Sequence, residues 1–235
     1  MPDPDPPPAR WLDVAVLLVA GLVNSVLAPA DAALVLAPGT PAQGGDLAAR
    51  MTWIAAHAGQ WQAGWAFWFV VTTTFAWSYY ALARHLAGPR PWRALAVGLA
   101  LPAMAVDLTG VVIQLAVLPP MAALARGLPA AAREPATLTY LGFETLATAL
   151  TNVTAYGLYS VAGLLLLPAL FATPTYPRPL AWLGAAEWTS AVLATALLVV
   201  APALATEPLL LSFLLYAPWV WGSARWIRQP GRRAS

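Results

Sequence analysis

The chain has 235 residues, of which 60% are hydrophobic and 9% are charged, and its mean hydropathy is +0.67. Soluble domains carry about 25% charged residues and expose much of their area to water, so this composition excludes a soluble fold of this size. The net charge is only +2, without the dense basic face of a nucleic-acid binder. The absence of Cys and Lys excludes disulfides, thiolate metal sites and lysine Schiff bases.

Six apolar segments follow a proline-rich start, and each reaches the roughly 18–20 residues that cross a ~30 Å hydrocarbon core. They lie at 11–28, 52–86, 92–118, 138–171, 180–205 and 209–226. We therefore predict an all-α, polytopic membrane helix bundle over 11–226. Residues 1–10 are predicted to be a disordered cytoplasmic tail, and residues 227–235 a basic cytoplasmic tail.

The first segment has an alternative interpretation as a cleaved signal peptide, because Ala28 and Ala30 flank Pro29 as a small-residue site would. Its length and the preceding Asp3 and Asp5 favour a retained membrane helix instead.

The arginine residues predict the orientation of the bundle. Of the twelve, nine fall on one side of a six-helix alternation and three on the other. Positively charged loops stay in the cytoplasm, so we predict that both termini are cytoplasmic and that the loops at 31–51 and 119–137 face outward. The lack of Lys with abundant Ala, Pro and Arg is typical of a GC-rich bacterial genome, which predicts a multi-pass protein of the inner (plasma) membrane.

Ionisable side chains at membrane depth normally face a protein interior or a water-filled cavity. With ~1.5 Å of rise per residue, five polar side chains on four helices reach one layer in the outer half of the bundle. They are Asn24, His57, Gln60, Asp107 and Glu144. Asn152 follows Glu144 at helical spacing on the same face. We predict that these residues form a pocket.

Two interpretations of these residues remain open. Asn24 and Asn152 are of the type that hydrogen-bonds helices together. Asp107 and Glu144 fit that interpretation less well, because two neighbouring carboxylates in a low dielectric need a cation or a shared proton. They favour a proton- or cation-linked pocket, or alternatively a metal site of His57, Asp107 and Glu144. No local metal motif supports the metal site, and the cofactor stays unidentified; the two His residues are too far apart to ligate one haem.

Three further features stand out, and two of them allow two interpretations each. Glu187 is either bonded to a Tyr or Ser hydroxyl or is a relay station below the outer pocket. His85 has one interpretation and is predicted to be interfacial. Trp61 and Trp65 are either interfacial anchors or walls of an apolar ligand pocket.

The layout resembles an uncharacterised family of six-helix bacterial integral membrane proteins, a domain of unknown function. The features that carry the resemblance are the early Asn24 helix, the segment from Pro29 to Ala32, the start of the second helix from His57 to Trp65, and Glu144 in the fourth helix. The resemblance implies the six-helix fold and transfers no activity.

Three functions follow as hypotheses. The first is a transporter or binding protein for a small molecule or ion, with the outer pocket as its site. The second is an intramembrane enzyme, such as a metal hydrolase or a lipid-modifying protein. The third is a structural or accessory subunit of a membrane complex, in which Asp107 and Glu144 are fully bonded with no cavity between them. Small residues permit close helix packing within the chain or between copies, so oligomerisation stays open alongside the lipid bilayer as a partner.

Overall fold

The computed structural model describes residues 10–41 and 45–229, and these residues form seven helices and no strand. The helices are α1 (Arg10–Gly39), α2 (Leu47–Ala56), α3 (Ala58–Ala83), α4 (Arg90–Gly127), α5 (Ala131–Ala172), α6 (Arg178–Val200) and α7 (Thr206–Arg228). The all-helical prediction is confirmed. Most of the predicted tails, residues 1–9 and 230–235, lies outside the described residues.

Five of these helices, α1, α4, α5, α6 and α7, are long and apolar enough to cross a membrane. Helix α3 has 26 residues and no charged side chain, but it is not one of the five. Its Trp, Tyr, Gln and Thr side chains lower its hydropathy. Helix α2, with ten residues, is too short to span.

The six long helices form a closed ring. Packing runs from α1 to α3, then through α4, α5, α6 and α7 in chain order, and α7 returns to α1. The indole N–H of Trp221 on α7 donates to the Leu18 carbonyl of α1 at 3.1 Å, which joins the two ends of the ring. Successive ring helices run in opposite directions, so their ends lie in two layers.

Most arginines lie in one of these layers. It holds Arg10, Arg84, Arg90, Arg93, Arg178, Arg225 and Arg228, whereas Arg50, Arg126 and Arg133 lie at the opposite end. We call the half of the ring next to this layer the arginine half. The other half contains Gly39, Ala58 and Gly127, and we call it the cavity half because a cavity lies within it.

Arginine side chains close helix ends in the arginine half. The Arg93 guanidinium donates to the carbonyls of Ala83 and Leu86, where α3 ends, and Arg178 donates to the Phe171 carbonyl near the end of α5. The last carbonyls of a helix have no donor within that helix, and the carbonyl of Leu86 lies just beyond the end of α3. A cation at such a helix end also interacts favourably with the helix dipole.

An ion pair joins α1 to the end of α3 in the same layer. Asp13 is 1% exposed, and its carboxyl oxygens lie 2.8 Å from the His85 Nε2 and 3.4 Å from an Arg84 nitrogen. His85, predicted to be interfacial, is therefore a buried partner of Asp13.

Aromatic side chains fill the centre of the ring in the arginine half. Ring centroids lie 4.8 Å apart for Phe75 and Tyr159, 4.9 Å for Phe75 and Tyr216, and 5.4 Å for Tyr79 and Trp188. These residues come from α3, α5, α6 and α7. Gly163 on α5 allows the approach of Trp188, because a Cβ at residue 163 would overlap the indole.

The outward faces of the ring helices are apolar. Exposed Leu, Val and Trp side chains recur on them, as at Trp11, Leu101, Val161, Val199 and Leu214. In water such a continuous apolar surface would be a liability, whereas it is compatible with contact to lipid.

Several predicted helix boundaries were wrong, including the start of α5, which lies at Ala131 and not at residue 138. Helix α1 continues through Pro29 to Gly39, and α4 continues through Pro119 and Pro120 to Gly127, so both enter the predicted outer loops. The second predicted segment is instead two helices, because the backbone turns at His57, with φ −122° and ψ 34°.

Pro29, Pro38 and Pro119 are tolerated inside α1 and α4 because the turn before each is widened into a π-helix. The segments Val23–Leu27, Ala32–Leu36 and Ile113–Val117 end two residues before Pro29, Pro38 and Pro119. A proline ring clashes with the carbonyl four residues earlier and cannot donate to it, so a wider turn relieves the conflict.

Candidate functional site: a cavity in one half of the ring

A cavity of about 600 Å³ lies within the ring in the cavity half. Side chains from all six ring helices line it, and on α5 the lining runs from Glu144 to Tyr159, or ~20 Å of helix. Phe75 and Tyr159 of the aromatic core form its floor. Volumes of roughly 300–1,000 Å³ are typical of small-molecule sites.

One face of α3 forms an aromatic wall of the cavity. Trp61, Trp65, Trp68, Thr72 and Phe75 recur at three- and four-residue spacing and all line it. Ring centroids lie 5.8 Å apart for Trp61 and Trp65 and 5.6 Å apart for Trp65 and Trp68. Of the two interpretations of Trp61 and Trp65, the pocket wall is the one that the geometry supports.

The adjoining face of α3 carries Gln60, Gly64 and Thr74, and it packs largely against α1. A Cβ at Gly64 would meet the Leu36 side chain, and the Thr74 hydroxyl accepts from Asn24 of α1.

The π-helical segments shape the cavity. Asn24, Leu36, Gln114 and Thr151 each lie in one of the four such segments, and all line the cavity. In α4, Pro119 and Pro120 have no N–H groups to donate to the carbonyls of Gln114 and Leu115. Side chains of α3 replace them, since Trp61 donates to Gln114 at 2.7 Å and Gln62 donates to Leu115 at 3.3 Å.

The segment Ala149–Ala155 on α5 has no such proline. There the Thr151 hydroxyl donates to the Ala147 carbonyl at 3.1 Å, a side-chain bond that competes with the helical one. The segment also lies at a close approach to α4, where a Cβ at Gly110 would come within 2.5 Å of the Thr151 side chain.

Asp107 lies on α4 toward the floor of the cavity. The Thr72 hydroxyl donates to one of its carboxyl oxygens at 2.7 Å, and the other oxygen has no hydrogen-bond partner among the described residues. Asp107 also has no ion-pair partner in this part of the chain. The carboxyl is therefore only half satisfied by the protein.

Glu144 lies on α5 at the other end of the lining and is paired. The Arg50 guanidinium of α2 donates to its Oε2 at 2.6 Å, with both side chains nearly buried. The short helix α2 reaches this position because it packs against the end of α4, and Asp46 caps its first turn by accepting from the Ala49 N–H at 2.7 Å. Arg50 thus supplies the cation that Glu144 requires.

Asn24 and Asn152 also line the cavity. The Asn24 amide donates to the Ala20 carbonyl at 2.9 Å and to the Thr74 hydroxyl at 3.3 Å, so it joins α1 to α3. The Asn152 side-chain oxygen accepts from the Thr151 hydroxyl at 3.3 Å. Asn24 therefore acts at least as a fastening between helices.

His57 and Gln60 lie outside the cavity lining. His57 is exposed between α2 and α3 and stacks on Trp53 with centroids 4.9 Å apart. Gln60 is also exposed, and its amide donates to the Val35 carbonyl at 3.2 Å. Gln60 lies on the face of α3 that packs against α1, and the turn at His57 leaves His57 at the surface before α3 begins.

Glu187 lies within the aromatic core of the arginine half and does not line the cavity. It is 2% exposed, and its Oε2 has no partner among the described residues. Of the two interpretations of Glu187, a bond to a Tyr or Ser hydroxyl is not formed among the described residues.

Three buried polar atoms on residues that line the cavity have no hydrogen-bond partner in the described part of the chain. They are the Nε1 of Trp65, the Oε1 of Gln114 and the hydroxyl of Tyr159, on residues that are 9%, 6% and 2% exposed. Buried polar groups are normally satisfied, because an unpaired one costs about 1–3 kcal/mol. Each of the three atoms is closed to a molecule the size of water, so they lie behind the surface of the cavity and not on it.

Sequence reasoning missed four residues that matter here: Arg50, Thr72, Tyr159 and the indole N–H of Trp65. The regular spacing of the aromatic wall from Trp61 to Phe75 was a signal for Thr72 and Trp65. No comparable signal indicates that Arg50, in a predicted loop, reaches Glu144.

No group of three or more His, Asp or Glu side chains that could hold a metal ion occurs within residues 10–41 and 45–229. His57, Asp107 and Glu144 are not brought together. Comparisons with protein-family models, curated proteins and solved structures find no match to this chain. The resemblance to a six-helix bacterial family stays a prediction.

Proposed function

We propose that this protein binds a small amphiphilic molecule in the cavity, as a transporter or receptor in the plasma membrane. The observation that carries the proposal is a cavity of ligand size with aromatic walls that also holds the Asp107 carboxyl, one oxygen of which has no partner among the described residues. Apolar walls with a few polar groups are the usual composition of a small-molecule site.

The same proposal includes six membrane-spanning helices, with α3 as the sixth, and both termini in the cytoplasm. Helix α3 supports this because its 26 residues would reach ~39 Å and its neighbours on both sides are apolar helices of the ring. The arginine layer supports the orientation through the positive-inside rule. The cavity half then opens toward the outside.

The structural-subunit hypothesis required fully bonded carboxyls and no cavity between them. Glu144 is ion-paired with Arg50 through one oxygen, whereas Asp107 has no cation among the described residues, and both line one cavity. These observations favour binding over a purely structural role. A metal-dependent enzyme has no ligand cluster to support it in the described residues.

A blocked cavity tests the proposal. Ala32 lines the cavity, whereas Leu34, two residues further along α1, is 78% exposed and points away from the ring. We expect Ala32→Phe to fill part of the cavity and Leu34→Phe to leave it unchanged. Each protein, in zwitterionic lipid nanodiscs, is screened by thermal unfolding against soluble amphiphilic amines, alcohols and acids.

At least one compound class is expected to raise the melting temperature of the wild-type protein and of Leu34→Phe but not of Ala32→Phe. A ligand at 100 times its Kd stabilises by about 2.7 kcal/mol, which is readily measured. If no compound separates Ala32→Phe from the other two proteins, the cavity is not a binding site of this kind.

A further inference from the structure

Two acids line the cavity, and one of them has no cation in the described part of the chain. Asp31, beside the lining on α1, accepts a bond from the Trp68 indole at 3.1 Å and likewise has no cation among the described residues. Glu144 is neutralised by Arg50, and Asp13, far away in the arginine half, has Arg84 and His85. Asp107 has no cation in the described part of the chain, yet it lines the cavity. A carboxylate in such surroundings is stable only with a positive partner, a proton or several hydrogen bonds, and Thr72 supplies a single bond.

Aromatic side chains surround the same end of the cavity. Phe75 follows Thr72 by one turn on α3, and its ring centroid lies 4.8 Å from that of Tyr159 on α5, which also lines the cavity. Trp65 and Trp68 extend this aromatic surface up the wall. The faces of aromatic rings attract cations, by about 2 kcal/mol or more when the site is shielded from water.

We propose that the ligand of this cavity is a small organic cation, a protonated amine or quaternary ammonium, whose charge pairs with Asp107 while its apolar body lies along Trp61, Trp65 and Trp68. This inference rests on the proposed binding function and names its ligand class.

Other ligand charges fit less well. An anion would meet Asp107 with no unpaired cation in the described lining to offset it. A bare metal ion requires several oxygen or nitrogen ligands, and no such group exists in the described residues. A neutral ligand would leave the carboxylate without a counter-charge.

A matched pair of probes tests the charge. 4-Phenylbutylamine and 4-phenylbutan-1-ol share the same apolar body and differ in a cationic or neutral head. Binding of each to the protein in zwitterionic nanodiscs is measured by calorimetric titration at neutral pH, with protein-free nanodiscs to subtract partitioning into lipid. We expect the amine to bind the wild-type protein at least tenfold more tightly than the alcohol.

The variant Asp107→Asn keeps the shape and the bond from Thr72 but removes the charge. It is expected to abolish the preference for the amine while it leaves the affinity for the alcohol within about threefold. Asp46→Asn is the control, because Asp46 is an exposed helix cap that Asn can replace, and it is expected to retain the preference.

Equal affinity of the wild-type protein for the two probes, no binding of the amine, or a preference that survives in Asp107→Asn would each overturn the inference. None of these results decides the proposed function, which is judged by the blocked cavity and the full set of compounds. Binding of neutral or acidic compounds that Ala32→Phe abolishes would keep the binding site and reject the cation.

Discussion

The arginine half and the cavity half are built from the same six helices but differ in what fills the ring. On the arginine side of Phe75, aromatic side chains from α3, α5, α6 and α7 pack at centroid distances of about 5 Å, and arginine side chains bond to the carbonyls at the helix ends. On the other side of Phe75, a cavity of about 600 Å³ separates the helices. Packing in the arginine half therefore stabilises the ring, whereas the cavity half has space for a bound molecule.

The backbone differs in the same way. Across the described residues, all four π-helical segments lie in α1, α4 and α5, each contributes at least one residue to the cavity lining, and three of them precede prolines. Widened turns shift side chains around the helix and release carbonyls, and they are frequent at functional sites. The prolines therefore help to make the cavity half irregular, while the regular helices of the arginine half pack closely.

The largest expected effect concerns the ion pair that fastens α2 to the cavity half. Arg50→Leu leaves the nearly buried Glu144 carboxyl without its cation, and breaking a buried pair in this way typically costs about 3–5 kcal/mol. We expect the loss to appear as a lower free energy of unfolding in detergent micelles, with faster hydrogen exchange in α2 than in the arginine half.

The double variant Arg50→Leu/Glu144→Leu is the control, since it removes both charges and keeps apolar volume. It is expected to recover most of the lost stability. A double variant as unstable as Arg50→Leu would mean that packing rather than the unpaired charge is responsible.

A smaller effect is expected from the close packing of the arginine half. Gly163→Ala places a methyl group against the Trp188 indole, and overpacking of this kind costs about 1–3 kcal/mol. Gly98→Ala in α4 is the matched control, because a methyl group there meets no atom within 4 Å and alanine is the better helix former.

The measurement is the melting temperature of each variant relative to wild type. It should fall for Gly163→Ala and stay level or rise for Gly98→Ala. If both changes have the same effect, the arginine half is not as tightly packed as the positions of Trp188 and Tyr79 indicate.

These two halves were not equally predictable from sequence. Apolar length predicts the ring helices, and arginine clustering predicts that one end differs from the other. Helical spacing brings Asp107, Glu144, Asn24 and Asn152 to one cavity, because depth and face both follow from a regular rise and turn. The aromatic wall follows from the same spacing of Trp61 and Trp65.

The rest depends on departures from regular helix geometry. The continuation of α1 through Pro29 and of α4 through Pro119 depends on π turns, and in α4 the freed carbonyls accept from Trp61 and Gln62 of another helix. His57 and Gln60 miss the cavity because the chain turns at His57 and because the face of α3 that carries Gln60 packs against α1. The pairing of Arg50 with Glu144 joins residues 94 positions apart, and no local pattern encodes it.

The smallest effect concerns Asn24, which lines the cavity and also fastens α1 to α3. Its amide donates to the Thr74 hydroxyl at 3.3 Å, and such bonds between membrane helices are worth about 0.6 kcal/mol on average. A double-mutant cycle of Asn24→Ala and Thr74→Val should give a coupling energy of about that size, because Asn24 also donates to the Ala20 carbonyl within its own helix. A value near zero would leave Asn24 with no measurable role in fastening the helices and would strengthen its assignment to the ligand. A coupling energy above about 1.5 kcal/mol would instead mean that side-chain bonds hold the helices of the cavity half together as strongly as packing does in the arginine half. The two halves would then differ only in the presence of the cavity.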